Sequence, residues 1–340
     1  MEPLRGFPAA VGMARIALLA AVVFAARPAA AGDSKNDPSK IGSRDVSKGV
    51  NFYSLERELA LGKQLAQEVE RQSKILDDPI VSEYINRLGQ NLARNSDAKV
   101  PFSFKIVDSE ELNAFALPGG YVFVNTGLIR LADDESELAG ALAHEIAHVA
   151  ARHMTRQATK AEIANLTTLP VSVLLGGLPG LITRQAAGLA APMTFLSFGR
   201  KDEAEADYLG LQYMYSAGYD PTGAISLLEK IESLERKEPG RIAKLLATHP
   251  MDSDRIHNAE KEIEEILPPK EEYVITTSEY REMRDRLLGL GNKPQRGEQA
   301  ARPHLGSAGA AEGQVDDSNR KTDNSEANEP PAVQRRELVQ

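Results

Sequence analysis

An α+β domain, mostly helical with one small β-sheet, follows from three features of this 340-residue chain. Amphipathic runs of helical period fill most of residues 51–291, only a few short segments alternate as strands do, and there is no internal repeat. A composition of 42% hydrophobic and 26% charged residues suits one or two domains with a true core and excludes collagen-like or wholly disordered chains.

In chain order, Ser54 caps a first helix over 55–74, where Leu55, Leu59, Leu65 and Val69 recur near every 3.6 residues. Asp78-Pro79 opens a second, with Val81, Ile85, Leu88 and Leu92 on one face. Two strands follow. In 101–107 Phe102, Phe104 and Ile106 alternate, and 121–125 is aromatic and β-branched after the turn residues Pro118-Gly119-Gly120. Helices are expected over 135–156, 201–217, 221–237 and 252–266, then a strand over 273–276 and a closing helix over 278–288.

The ends differ in kind from this middle. Arg5 and Arg15 precede an apolar run over 16–26 and the small residues Ala29-Ala30-Ala31, the layout of a cleavable secretory signal over 1–31. The run is too short to cross a bilayer, which takes about 20 apolar residues. A linker is expected over 32–50. Residues 292–340 contain no aromatic residue and cannot bury enough apolar surface to order themselves, so they read as a disordered tail.

Charge and cysteine usage narrow the chemistry. Lys and Arg number 40 against 49 Asp and Glu, a net charge of -9, which disfavours nucleic acid as a partner. The chain has no cysteine, so disulfides, thiolate metal sites and thiol catalysis are excluded.

The helix over 135–156 carries His144-Glu145-Ile146-Ala147-His148. A four-residue step turns about 400° on an α-helix, so both imidazoles project from one face, one turn apart. Two nitrogens so placed suit zinc, and Glu145 beside them can take a proton from water polarised there. With 6 His in the chain this pattern is specific, and Leu138, Leu142, Ile146 and Val149 place it on an apolar helix where unliganded polar groups would be costly.

A third ligand is needed. A metzincin would have Gly and His at positions 151 and 154, where this chain has Ala151 and Met154. His153, nine residues from His144, falls about 180° round a continuous helix and is expected to face away as an ordinary surface or core histidine. Downstream, Glu203 and Asp207 lie four apart on a helix, so one can coordinate metal while the other orients a ligand imidazole. A solvated acidic helix start accounts for them equally well on spacing alone. Glu205, about 200° from both, is expected to face solvent.

These motifs, in this order, resemble the zinc metallopeptidase family of the CAAX prenyl endopeptidase, HtpX and BepA type, a gluzincin pattern of HExxH plus ExxxD. The resemblance covers about 52–290 and includes the run from Asn113 to Val124, Gly127-Leu128 and Thr248-His249-Pro250, and it points to the secreted soluble branch. It implies a zincin-like fold whose edge strand borders the zinc cleft. It also implies one Zn2+ per chain held by His144, His148 and Glu203, with Asp207 behind them. Asn113, Ala114, Phe115, Ala116, Gly119 and Gly120 would bind an extended substrate backbone. By the same resemblance His249 approaches the zinc, either as an imidazolium that stabilises an oxyanion or as a ligand that plugs the open position; a structural hydrogen bond is the plainer alternative. Arg200 is the candidate second cation of the cleft.

Residues 163–183 form an uncharged run of 21 that Pro170, Gly176-Gly177 and Pro179 interrupt, which reads as part of a lid or membrane-proximal insertion over 163–199 rather than a span. The expected function is zinc-dependent endopeptidase action on misfolded or misassembled envelope proteins, in the periplasm with peripheral membrane contact. The alternative is a chaperone or assembly factor for outer-membrane proteins or their assembly machinery, with a plugged zinc site. A hydrolase acting on something other than peptides is the weaker third reading.

Overall fold

The computed structural model describes residues 37–168, 197–252, 254–291 and 333–335. The expected leader, most of the 163–199 insertion and the tail apart from 333–335 lie outside the described residues. The fold is α+β and mostly helical. Helices α1 (Leu55–Gln72) and α2 (Pro79–Arg94) precede the strands β1 (Ser103–Val107), β2 (Ala114–Leu117) and β3 (Tyr121–Asn125). Then come α3 (Thr126–Leu131), α4 (Glu135–Ala150) and α5 (His153–Thr168). Helices α6 (Arg200–Ala217), α7 (Thr222–Lys237), α8 (Pro239–Thr248) and α9 (Asp254–Ile266) lead to β4 (Val274–Thr277) and α10 (Ser278–Gly291).

Local chemistry accounts for the helix starts. The Ser54 side chain accepts from Arg57 N–H and that of Asp78 from Val81 N–H, each satisfying one donor that a first helical turn leaves open. Asp78 also accepts a bifurcated hydrogen bond from Arg286 Nε, at 2.9 Å to each oxygen, which ties α2 to α10.

The three-stranded sheet has the order β1-β3-β2, with β1 parallel and β2 antiparallel to β3. Its register pairs Phe104 with Val122 and Ala116 with Val122 from the other side, leaving β2 as an edge. Strand alternation sorts β2 by face. Ala114 and Ala116 join the main core around α4, while Phe115 and Leu117 join a smaller cluster with Ala66 of α1 and Phe123. The turn into β3 requires glycine: Gly120 has φ +88°, and a Cβ there would lie 2.1 Å from the Pro101 carbonyl oxygen.

Helix α4 runs through the centre, with Leu138, Leu142 and Ile146 completely buried. Helix α6 crosses it closely at Gly210, where a Cβ would stand 3.2 Å from His144 N. That approach brings the first turns of α6 level with the HExxH motif.

Three expectations change. The helix predicted over 135–156 ends at Ala150, and Arg152 takes a left-handed φ of 57° before α5 begins. The linker expected over 32–50 is anchored to the domain at two residues: Val46 is buried in the main core, and Arg44 is buried with its Nη2 2.6 Å from Asp97 and its Nη1 2.6 Å from Gln212. Val333–Arg335, within the expected tail, pairs antiparallel with β4 as β5. No helix among the described residues is long and apolar enough to cross a membrane.

Candidate active site

The HExxH spacing on α4 sets His144 and His148 on one face, with their Nε2 atoms 3.0 Å apart. Glu203, on the first turn of α6, is 1% exposed and reaches both, with Oε2 3.3 Å from His144 Nε2 and Oε1 3.4 Å from His148 Nε2. His249 closes the group from the end of α8: its Nδ1 lies 3.1 Å from Glu203 Oε1 and 3.3 Å from His144 Nε2. One donor atom from each of the four falls within 4.8 Å of the others.

This donor set fits zinc. Four ligand atoms at the usual 2.0–2.1 Å from a tetrahedral ion stand about 3.3 Å apart, the spacing already present between the imidazoles and the carboxylate. The electrostatics agree. Burial works against charge on His144, yet hydrogen bonds to Asp207 and Glu203 outweigh it and raise the imidazole to about 10, so these carboxylates call for a cation at their centre. A divalent ion held there would meet the same demand in place of that proton. Burial would likewise raise the Glu203 carboxyl, but His144, His148 and His249 together hold it well below the usual carboxylate range. Burial drives His148 the other way, well below its ordinary value and so toward the neutral form that a ligand needs.

Behind the donors, Asp207 Oδ1 lies 2.9 Å from His144 Nδ1 and fixes that ring. Asp207 is itself gripped by Arg255, whose Nε and Nη2 each lie 2.7 Å from its oxygens. Burial pushes the Asp207 carboxyl up, but Arg255 and His144 prevail and hold it at about 2. Arg255 Nη1 also approaches Glu203 Oε2 at 3.2 Å. Glu145 is not one of the four donors. Its Oε1 lies 3.3 Å from His249 Nε2, and burial is the first cause that raises its carboxyl.

A cleft of about 600 Å3 opens beside these groups, bordered by Ala114 of β2 and walled by Leu227, Ile231, Leu245 and Met251, with His144, Glu145 and His249 at its polar end. A second of about 290 Å3 lies on the His148 side, lined by Ala116, Leu117, Met154 and Phe198. Edge strand β2 therefore runs past the site between two cavities.

Arg200 has a side chain 79% exposed and pairs with Asp252 at 3.4 Å, so the buried cation beside the carboxylates is Arg255 instead. Asn113 is fully enclosed, and Phe115 stacks on Phe123 with ring centroids 5.3 Å apart, which places its side chain in the smaller cluster. Gly119 and Gly120 form the β2–β3 turn, with φ of 77° and 88°, and Gly119 also lines the cavity on the His148 side. His153 does not face away, because the helix breaks before it: its Nδ1 lies 2.9 Å from His148 Nδ1 and its Nε2 3.1 Å from Glu205 Oε2. Glu205 is accordingly not simply a solvated carboxylate, and Arg156 also contacts it at 3.2 Å. Phe198, stacked on His148 with centroids 4.0 Å apart, carried no sequence signal, and neither did Arg255.

Residues 79–263 match the profile of peptidase family M48. The chain is 32% identical over 250 residues to the beta-barrel assembly-enhancing protease of Yersinia pestis, an alignment covering 70% of this chain and 49% of that one. It is 31% identical over 250 residues to the protein of the same name from Escherichia coli strain K12, covering 70% and 50%. The mitochondrial metalloendopeptidase OMA1 of Schizosaccharomyces pombe is 33% identical over 189 residues, 54% of this chain and 52% of that one. The chain thus spans about half the length of the curated relatives it matches. Since the profile match takes in more than half of the chain, including the HExxH helix and the ExxxD helix, the protein belongs to peptidase family M48.

Proposed function

We propose that this chain is a zinc-dependent endopeptidase. The observation that carries the reading is the group of three donors, His144, His148 and Glu203, which would leave a fourth zinc position open, beside an acidic side chain that is not one of them, Glu145. A zinc ion held there would polarise the scissile carbonyl and lower the pKa of water. Glu145 takes the proton of the attacking water and passes it to the leaving amine. Asp207 keeps His144 in one tautomer, and Arg255 holds Asp207 in place. The edge of β2 offers backbone groups to an extended chain, a mode that reads little sequence and requires an unfolded substrate.

Casein digestion with and without a chelator tests this. Hydrolysis is expected only in the zinc-loaded protein, with cleavage sites enriched in bulky apolar side chains that fill the cleft between Leu227 and Met251. Chelator-resistant hydrolysis would refute the reading. We extend it to misassembled outer-membrane proteins in the periplasm on two supports: the signal-like segment over 1–31 and the similarity to bacterial beta-barrel assembly-enhancing proteases.

A second reading rests on His249. Its Nδ1 stands among the donors, where it would complete a four-coordinate, closed site and suit an assembly factor with little turnover. His249→Ala separates the roles. If His249 plugs the site, the variant keeps its zinc and hydrolyses casein faster than wild type. An oxyanion stabiliser would instead be marked by a fall of about 10²–10³-fold.

A further inference from the structure

His153 and Glu205 have no part in the proton transfer described above, yet His153 is completely buried against a metal-ligand imidazole. An imidazole that binds metal through Nε2 carries its proton on Nδ1. The Nδ1 of His148 therefore donates, and the atom facing it at 2.9 Å, His153 Nδ1, accepts. That leaves the His153 proton on Nε2, where Glu205 Oε2 accepts it at 3.1 Å. Arg156 Nη1, 3.2 Å from the same oxygen, holds the carboxylate in place.

The local backbone creates this contact. On an unbroken helix His153 would sit about 140° round from His148. Instead Arg152 adopts φ 57°, and its side chain is tied to Glu58 Oε1 at 2.9 Å and to the Tyr53 carbonyl at 2.6 Å. The chain turns there, and His153 folds back onto the ligand.

We propose that His153 is a positioning residue for His148: a Glu205–His153–His148 chain fixes the tautomer and ring plane that present Nε2 to the metal. The proposal rests on His148 being a metal ligand. The two histidines of the HExxH motif are then oriented differently, His144 directly by the carboxylate of Asp207 and His148 through a second imidazole. A second metal ion on His153, Asp202 and Glu205 is the competing use of these atoms. The guanidinium of Arg156 on Glu205 and the engagement of His153 Nδ1 by His148 argue against it.

The test is zinc affinity by chelator competition in the full chain, with thermal unfolding of the metal-free protein as a folding control. His153→Leu removes the acceptor and is expected to weaken zinc binding about 10–100-fold. His153→Asn sets Oδ1 near the place of Nδ1 and is expected to restore most of that loss, whereas His153→Gln, with its oxygen at the far end, is not. Glu205→Gln is expected to weaken zinc in the wild-type background and to have no effect beside His153→Leu. Should the Leu variant not fold, the Asn and Gln pair carries the comparison. Unchanged affinity in the Leu or Gln variant, equal loss in Asn and Gln, or two zinc ions per wild-type chain would overturn the proposal. A wild-type chain that binds no zinc would overturn the metal site itself, which is a separate result.

Discussion

Glu145→Gln is expected to lower casein hydrolysis by about 10²–10⁴-fold, the usual contribution of a general base, while zinc content stays at that of the wild type. The substitution keeps the shape of the side chain and removes only its ability to hold a proton. Glu145 lies outside the four-donor group, so the metal should not notice the change. Its contact with His249 Nε2 at 3.3 Å can survive as an amide oxygen accepting a hydrogen bond. Parallel assays of hydrolysis and of metal content by mass spectrometry decide the matter. Retained hydrolysis would remove Glu145 from the mechanism, and lost zinc would make it a ligand.

Glu203→Ala is expected to weaken zinc binding by more than about 100-fold, beyond the upper range for groups that only orient a ligand. Glu203 would supply the negative charge beside the two imidazole ligands His144 and His148. Its removal also leaves the Arg255 guanidinium, 3.2 Å from the lost carboxylate, facing the site with one fewer anion to balance it. Chelator competition reads the effect directly, and circular dichroism checks that α6 persists. A variant that holds zinc as tightly as wild type would place the third ligand elsewhere.

Local spacing made much of the fold and part of the site legible. The four-residue step from His144 to His148 needs only helical geometry, and the caps at Ser54 and Asp78 start their helices as expected. Spacing did not choose between Glu203 and Asp207 as the inner carboxylate; there the family resemblance decided the expectation. Strand β2 came from the same source, since Ala114–Leu117 is too short and too uniformly buried to alternate. Helix α8, which delivers His249, was not anticipated, although Pro239 stands at its first turn.

The misreadings turn on features of tertiary structure that leave no local sequence mark. Ala151-Arg152 contains neither Gly nor Pro, so a helix end there could not be read, and His153 was projected round a helix that does not continue. Arg255 lies 48 residues from Asp207, and only the packing of α9 against α6 joins them. Arg200, the expected second cation of the cleft, is the first residue of a helix whose exposed end carries the side chain into solvent.

The most direct test of the central claim is titration of zinc into metal-free protein while casein hydrolysis is followed. A single zinc site that performs hydrolysis predicts a rate rising in proportion to added zinc and levelling at one equivalent per chain. Hydrolysis before any zinc is added, or none after one equivalent is bound in both the wild type and His249→Ala, would contradict the account.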